Sequence, residues 1–186
     1  MRTDVRALLW TALFVSLTSL GGWVRIPVAP VPFTLQTLFV YLSGDLLGNR
    51  RGFISQVLFL MLGLIGVPVF SMGGGLGYIF QPTFGYLLGF PLAAWTVGVV
   101  CQRLGARNRW MHWMICNTAG MCVILTTGVL YLAFYLRFII HQEISWEKII
   151  LSGLIVFIPG EVVKMSMASI LAKRMAPFFH DQGLMI

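Results

Sequence analysis

Long apolar runs, separated by short polar or glycine- and proline-rich breaks, dominate this chain. Six runs stand out, at about residues 5–23, 33–48, 52–70, 82–101, 111–138 and 149–172. A helix needs about 20 predominantly apolar residues to cross a bilayer. Most of the runs reach or approach that length, and the second is short. In lipid only helices or a closed barrel satisfy the backbone's polar groups. These runs are too long and too continuously apolar to be the alternating strands of a barrel. The pattern predicts an all-α integral membrane protein with six transmembrane helices, forming a single transmembrane domain over residues 1–186.

Composition agrees with that reading. Of 186 residues, 58% are hydrophobic and 10% charged, and the mean hydropathy is +0.87. A soluble domain carries about 25% charged residues. The opening stretch "MRTDVRALLWTALFVSLTSLGGW" has arginines ahead of an apolar core, as a signal peptide does. The core is long for that role and no A-x-A site follows, so a retained first helix is expected. There is no clear internal repeat.

A net charge of +7 raises the question of nucleic acid, but the charges lie in small clusters between apolar runs and form no basic face. They report topology instead. With six alternating helices, Arg2, Arg6, Arg50, Arg51, Arg103, Arg107, Arg109, Lys173 and Arg174 share one side. Arg25, Arg137 and Lys148 lie on the other, beside Glu143 and Glu147. The excess of basic residues in cytoplasmic loops then puts both termini in the cytoplasm. Trp23, Trp110, Trp113 and Trp146 fall near predicted helix ends, where an aromatic belt is expected.

Several chemistries are missing from the motifs. No GxxxxGK[ST] occurs, so no P-loop is expected. There is no GxSxG elbow and no ladder of arginines as in a voltage sensor. His112, His141 and His180 are far apart in sequence and form no Cys/His cluster, so no metal site is expected. Cys116 and Cys122 read as packing residues, and Cys101 lacks CxxC spacing. Nothing resembles a catalytic constellation, and no enzyme activity or cofactor is expected.

One segment departs from the apolar pattern. "FIPGEVVKM" (157–165) places Glu161 and Lys164 three residues apart, on one helical face near the middle of the sixth run. A charge at the centre of a membrane helix is unfavourable by about 2.5–3.5 kcal/mol on insertion scales. Two readings are open, a structural ion pair against a neighbouring helix and a ligand or ion site facing the bundle interior. The rarity of intramembrane charge favours the second. Pro159 and Gly160 are expected to kink the helix there and free carbonyls.

Elsewhere, Thr34, Thr37, Tyr41, Gly44 and Gly48 fall at helical spacing, and Gln36 lies near the entrance of that helix. Gly44-xxx-Gly48 and Gly85-xxx-Gly89 read as close-packing signals. Asp45 reads as interfacial, near Arg50 and Arg51. Ala7 and Thr11 form a small-residue face on the first helix, suited either to a partner helix or to internal packing. Two loops on the side away from the basic clusters are unusual. "RIPVAPVP" (25–32) contains prolines that forbid helix. "FSMGGGLGYIFQPTFGY" (70–86) carries Gly73, Gly74, Gly75 and Gly77 and reads as a packed lid. Together these residues suggest a small-molecule-binding membrane bundle, suited to an amphipathic carboxylate whose anion pairs with Lys164.

The segments "PVPFTLQTLFVYLSGDLLGNRRG", "GLIGVPVF", "GGGLGYIFQPTFGYLLGF" and "FIPGEVVKM" occur in this order. They resemble the BioY family, the biotin-binding S-components of energy-coupling factor (ECF) transporters, over about residues 5–175. The resemblance implies an ECF S-component-like bundle in the bacterial cell (inner) membrane, capturing biotin from the outer side. The energy would come from a partner transmembrane coupling protein and a pair of ATPases, and Ala7 and Thr11 would be candidate contacts for the coupling protein. The family's P-G-D-x-x-K motif maps onto Pro159, Gly160, Glu161 and Lys164, with glutamate here where aspartate is usual. Its G-P-T-G-G-Y segment reads "QPTFGY", with Gln81 and Phe84 in place of glycines.

The resemblance implies that Lys164 pairs with the valerate carboxylate, while Glu161 accepts from a ligand N–H or orients Lys164. Gln36, Thr34, Gln81 and Thr83 would supply polar contacts, Phe84 and Tyr86 apolar walls, and Gly73, Gly74, Gly75 and Gly77 a gating loop. The departures leave an S-component for a different small carboxylate vitamin as the alternative. More distant readings are a small intramembrane enzyme and a channel or structural subunit.

Overall fold

The computed structural model describes residues 2–27, 31–105, 109–142 and 144–181, with the side chains of 2–4 excepted. Pro30, Arg107, Glu143 and the side chain of Arg2 lie outside the described residues. The chain begins with α1 (Arg2–Trp23), then a short hairpin of β1 (Arg25–Ile26) and β2 (Phe33–Thr34), then α2 (Gln36–Leu64). After a long loop come α3 (Phe84–Leu104), α4 (Trp110–Phe134), α5 (Trp146–Gly153) and α6 (Ile158–Asp181). By length and hydropathy, four stretches suffice to cross a membrane: Val5–Trp23, Phe84–Leu104, Trp110–Ile139 and Trp146–Asp181.

The separate second and third helices expected from the sequence are joined in α2, which reverses direction at Gly48. Gly48 has φ +74°, ψ −177° within otherwise helical backbone, a conformation open to glycine because it lacks a Cβ. Two contacts demonstrate the reversal. A Cβ on Gly52 would lie 2.9 Å from the Ser43 carbonyl oxygen, and Gln56 Nε2 donates to Ser43 Oγ at 3.2 Å. In a straight helix residues 13 apart are separated by about 20 Å. The arms, 36–47 and 49–64, are short for crossing a bilayer, which is why neither qualifies on length. Gly48 is therefore the turn itself, while Gly44 makes the packing contact.

The sequence placed a kink at Pro159–Gly160, but the break lies upstream. Helix α5 ends at Leu154 (φ −129°, ψ −62°), a 3₁₀ turn spans Ile155–Phe157, and α6 then begins. Pro159 sits in the first turn of α6, where a missing N–H costs no helical hydrogen bond and the fixed φ favours helix. Glu161 and Lys164 accordingly lie near the start of α6 rather than mid-helix. The fifth run ends in a π-helical turn, Tyr135–Ile139. Pro27 and Pro32 of the first loop lie outside helix, as expected, and the residues around the loop pair as Arg25–Thr34 and Ile26–Phe33.

Helix α2 packs on α1, α3 and α6, and α4 on α3, α5 and α6. Small residues set these approaches. A Cβ on Gly44 would fall 2.6 Å from the Ala94 carbonyl oxygen, and one on Gly85 would fall 2.0 Å from Tyr131 Cβ. Trp23, Trp110 and Trp146 are exposed, as expected of a belt, whereas Trp113 is buried in the core, edge-on to His112. Asp45, expected at the interface, is also buried, and Asn117 Nδ2 donates to it at 3.1 Å.

Gly44→Val is expected to destabilise the protein by roughly 1–3 kcal/mol, the usual range for overpacking. Gly77→Ala, with nothing within 4 Å of the added carbon, is the control and should leave thermal unfolding in detergent unchanged. An unaltered midpoint for Gly44→Val would refute the close α2–α3 contact.

Candidate functional site

The start of α6 presents its acidic residue in the first turn, where the helix dipole favours negative charge. The Glu161 carboxylate is buried and accepts three hydrogen bonds. Thr37 Oγ1 donates to Oε1 at 3.0 Å and Tyr41 Oη to Oε2 at 2.6 Å. Lys164 Nζ forms an ion pair with Oε1 and also donates to the Thr34 carbonyl oxygen at 3.0 Å. Thr37 and Tyr41 are one turn apart on the first arm of α2, so a single helical face delivers both donors. An ammonium has three donors, so Lys164 retains one beyond these two contacts.

Aromatic rings enclose the lysine. Its Nζ lies 4.4 Å from the centre of the Phe33 ring, within cation–π range. Phe33 stacks on Phe157 at 6.0 Å. Gly160 makes this possible, because any Cβ there would fall 1.6 Å from the Phe33 ring. The P-G pair thus starts a helix and leaves room for a ring against it.

Beside the pair lies a cavity lined by Phe33, Thr34, Gln36, Thr37, Thr83, Tyr86, Leu87, Phe90, Ile124, Leu125, Phe157, Glu161 and Lys164, with Ser71 from the glycine-rich loop. It is a narrow cavity of about 50 Å³, which is room for a few waters. One cation, one carboxylate, hydroxyl and amide groups and several rings converge there, the composition of a site for a small amphipathic molecule.

Six of the eight residues expected at a substrate site line this cavity: Thr34, Gln36, Thr83, Tyr86, Glu161 and Lys164. Thr34 Oγ1 donates to Gln36 Oε1 at 3.2 Å, and Tyr86 Oη donates to the Gly153 carbonyl at 2.6 Å, which fixes the ring as a wall. Gln81 and Phe84 are elsewhere. Phe84 packs edge-on against Tyr131 at 5.7 Å and fills space between α3 and α4. Gln81 ends the 3₁₀ turn Leu76–Phe80, its N–H bonded to the Tyr78 carbonyl.

Of the four loop glycines, none lines the cavity. Gly73 (φ +118°) and Gly75 (φ +103°) supply left-handed turns, and a Cβ on Gly74 would fall 2.3 Å from the Val67 carbonyl oxygen. They shape the loop that brings Ser71 and Thr83 to Tyr78 Oη, at 3.1 and 3.2 Å. Arg25 ties the first loop to this one through the Ser71 carbonyl. Of Ala7 and Thr11, expected to suit either a partner helix or internal packing, Thr11 is buried and Ala7 packs half-buried on the core.

Thr37 and Tyr41 share the polar face noted on the second run, yet only the fold reveals them as ligands of Glu161. Phe33 and Phe157 sit inside the quoted motifs without any signal of their ring stacking. Ile124 and Leu125 lie in an unbroken apolar run, where no pattern singles them out.

A model of the BioY family matches residues 1–181. The "Probable biotin transporter BioY" of Lysinibacillus sphaericus is 39% identical, with 94% of this chain and 89% of that protein covered. The "Biotin transporter BioY" of Thermotoga maritima is 33% identical, covering 92% and 96%. A solved structure, the "S-component for biotin from an ECF-type ABC transporter", superimposes with a TM-score of 0.84 at 26% identity, covering 94% of this chain and 92% of that one. The matches span the loops and the α6 motif that build the cavity as well as the apolar frame, and on them this chain belongs to the BioY family.

Proposed function

We propose that this chain is the biotin-binding component of a biotin uptake transporter and not an enzyme. The observation that carries the reading is the buried Lys164–Glu161 pair opening on an aromatic-walled cavity, in a chain whose curated relatives are named biotin transporters. Lys164 directs its remaining donor at the ligand carboxylate. Glu161, already accepting from Thr37, Tyr41 and Lys164, orients the lysine rather than serving as the main acceptor for a ligand N–H. Thr34, Gln36 and Thr83 take the polar edges of the ligand, with Tyr86, Phe33 and Phe157 as walls. The narrow cavity widens on binding through the 65–83 loop, with the glycines at 73–77 permitting the movement.

In this proposal residues 1–186 form one transmembrane domain of six spans, the two arms of α2 counting as separate crossings. Both termini and the basic clusters face the cytoplasm, and the cavity opens toward the outer side of the bacterial cell membrane. The ECF-type setting of the structural relative supports a coupling protein and an ATPase pair as partners, since no P-loop occurs in this sequence.

The test is equilibrium binding of labelled biotin to the purified protein in detergent, competed by unlabelled biotin and by other carboxylate vitamins. Displacement by biotin alone is expected. Displacement by another vitamin in preference to biotin would replace the ligand but keep the site. In the same assay a folded Lys164→Met variant should lose affinity by about 30-fold or more, since removing one partner of a buried charge pair costs about 2–5 kcal/mol. Unchanged affinity would sink the assignment. Tyr41→Phe should lower thermal stability by about 1.5–3 kcal/mol, the value of a hydrogen bond to a charged group, and weaken biotin binding less than Lys164→Met. A larger affinity loss for Tyr41→Phe would mean that Glu161, not Lys164, makes the decisive ligand contact.

A further inference from the structure

At the end of the bundle away from the cavity, the fold assembles a cluster that sequence spacing does not reveal. Cys101 lies in the last turns of α3. His112 and Cys116 stand at i and i+4 in the first turns of α4, on one face. The sulfur atoms of the two cysteines and a ring nitrogen of His112 all lie within 4.8 Å of one another. From the first arm of α2, Asp45 Oδ1 reaches within 3.6 Å of Cys101 Sγ. Its other oxygen is held by Asn117 Nδ2, which also bonds Ser169 Oγ. His112, Cys116 and Asp45 are buried and Cys101 is half-buried. The expectation that the cysteines merely pack and that no Cys/His cluster forms is thus corrected. Helix α3, ending at Leu104, and helix α4, beginning at Trp110, bring the donors together, and Cys122 is an exposed free thiol.

In the structure Cys101 and Cys116 are joined as a disulfide. We propose that the reduced pair is a structural binding site for one divalent transition-metal ion of the zinc type, ligated by the two thiolates and the His112 imidazole, with the Asp45 carboxylate as fourth donor. Two sulfurs and one nitrogen within 4.8 Å of one another, with the Asp45 carboxylate 3.6 Å from one of the sulfurs, offer the donor types that a tetrahedral Zn²⁺ ion takes. Asn117 is the outer-shell partner that orients Asp45, as such sites require. A carboxylate buried among helices is costly unless it is paired or ligates a metal, and the ion supplies that countercharge. It would clamp α2, α3 and α4 together at the end opposite the ligand.

The redox state rests on the proposed cytoplasmic placement of this end, where Arg50, Arg51, Arg103 and Arg109 cluster, because cytosolic thiols are kept reduced. A small-molecule thiol reductant supplies two electrons and two protons, is itself oxidised to its disulfide, and leaves Cys101 and Cys116 as thiols. Metal binding then releases the two thiol protons and forms two metal–sulfur bonds, with no further change of oxidation state.

The test uses the full chain in detergent, reduced with a phosphine that is then removed, and titrated with Co²⁺ alone. One equivalent is expected to bind with a thiolate-to-cobalt charge-transfer band and the visible bands of a tetrahedral ion, and Zn²⁺ should abolish both. Cys101→Ser and Cys116→Ser should lose the charge-transfer band, Cys122→Ser should keep it, and Asp45→Asn should weaken uptake by at least about 10-fold, the usual effect at a ligating or supporting group. Biotin binding by the same preparations reports separately on fold and on the proposed function. Reduced protein that binds biotin yet takes up no more Co²⁺ than Cys101→Ser, and simply re-forms the disulfide in air, would overturn the metal site.

Discussion

The buried ion pair between Glu161 and Lys164 is the constraint on which the cavity end of the bundle depends. Moving two charges out of water carries a penalty of several kcal/mol per ion even after relaxation, and their attraction offsets it only when the remaining lone pairs and protons are also satisfied. Here Thr37 and Tyr41 come from α2 and the Thr34 carbonyl from β2. The pair therefore fixes the start of α6 against the start of α2 and against the hairpin before it. Those contacts also leave the lysine facing a cavity rather than lipid.

Backbone geometry makes that arrangement possible. The break at residues 154–157 lets α6 begin beside the cavity, with Pro159 tolerated in its first turn and Gly160 giving way to the Phe33 ring. The left-handed turn at Gly48 folds α2 back on itself, so that Gln56 Nε2 reaches Ser43 Oγ and Thr18 Oγ1 within the core. In a membrane the hydrophobic effect does not drive helix to helix, and close approach through small residues takes its place. Gly44 and Gly85 permit that approach on the two sides of α3. The ligand cavity and the thiol–imidazole cluster thus occupy opposite ends of one tightly packed frame.

Much of the candidate site's lining was legible because charge is so rare in this chain. Glu161 and Lys164 stand out against their apolar surroundings, and the quoted motifs carried Thr34, Gln36, Thr83 and Tyr86 with them. Gln81 and Phe84 were misplaced because a motif position does not tell which way a side chain turns; Phe84 faces Tyr131 instead of the cavity. Asp45 and Trp113 were assigned to the interface from their distance to a helix end, whereas the rotation of the helix buries both.

By itself the sequence determined the solvent, the helical character and the presence of an expensive ionic pair, because each follows from local composition and period. Tertiary structure alone decided where α2 reverses and that the break in the last run precedes the proline. It also decided that Thr37 and Tyr41 donate to Glu161, and that Cys101, His112 and Cys116 meet. Those outcomes depend on distances between residues far apart in the chain, which helix packing sets and which no single segment encodes.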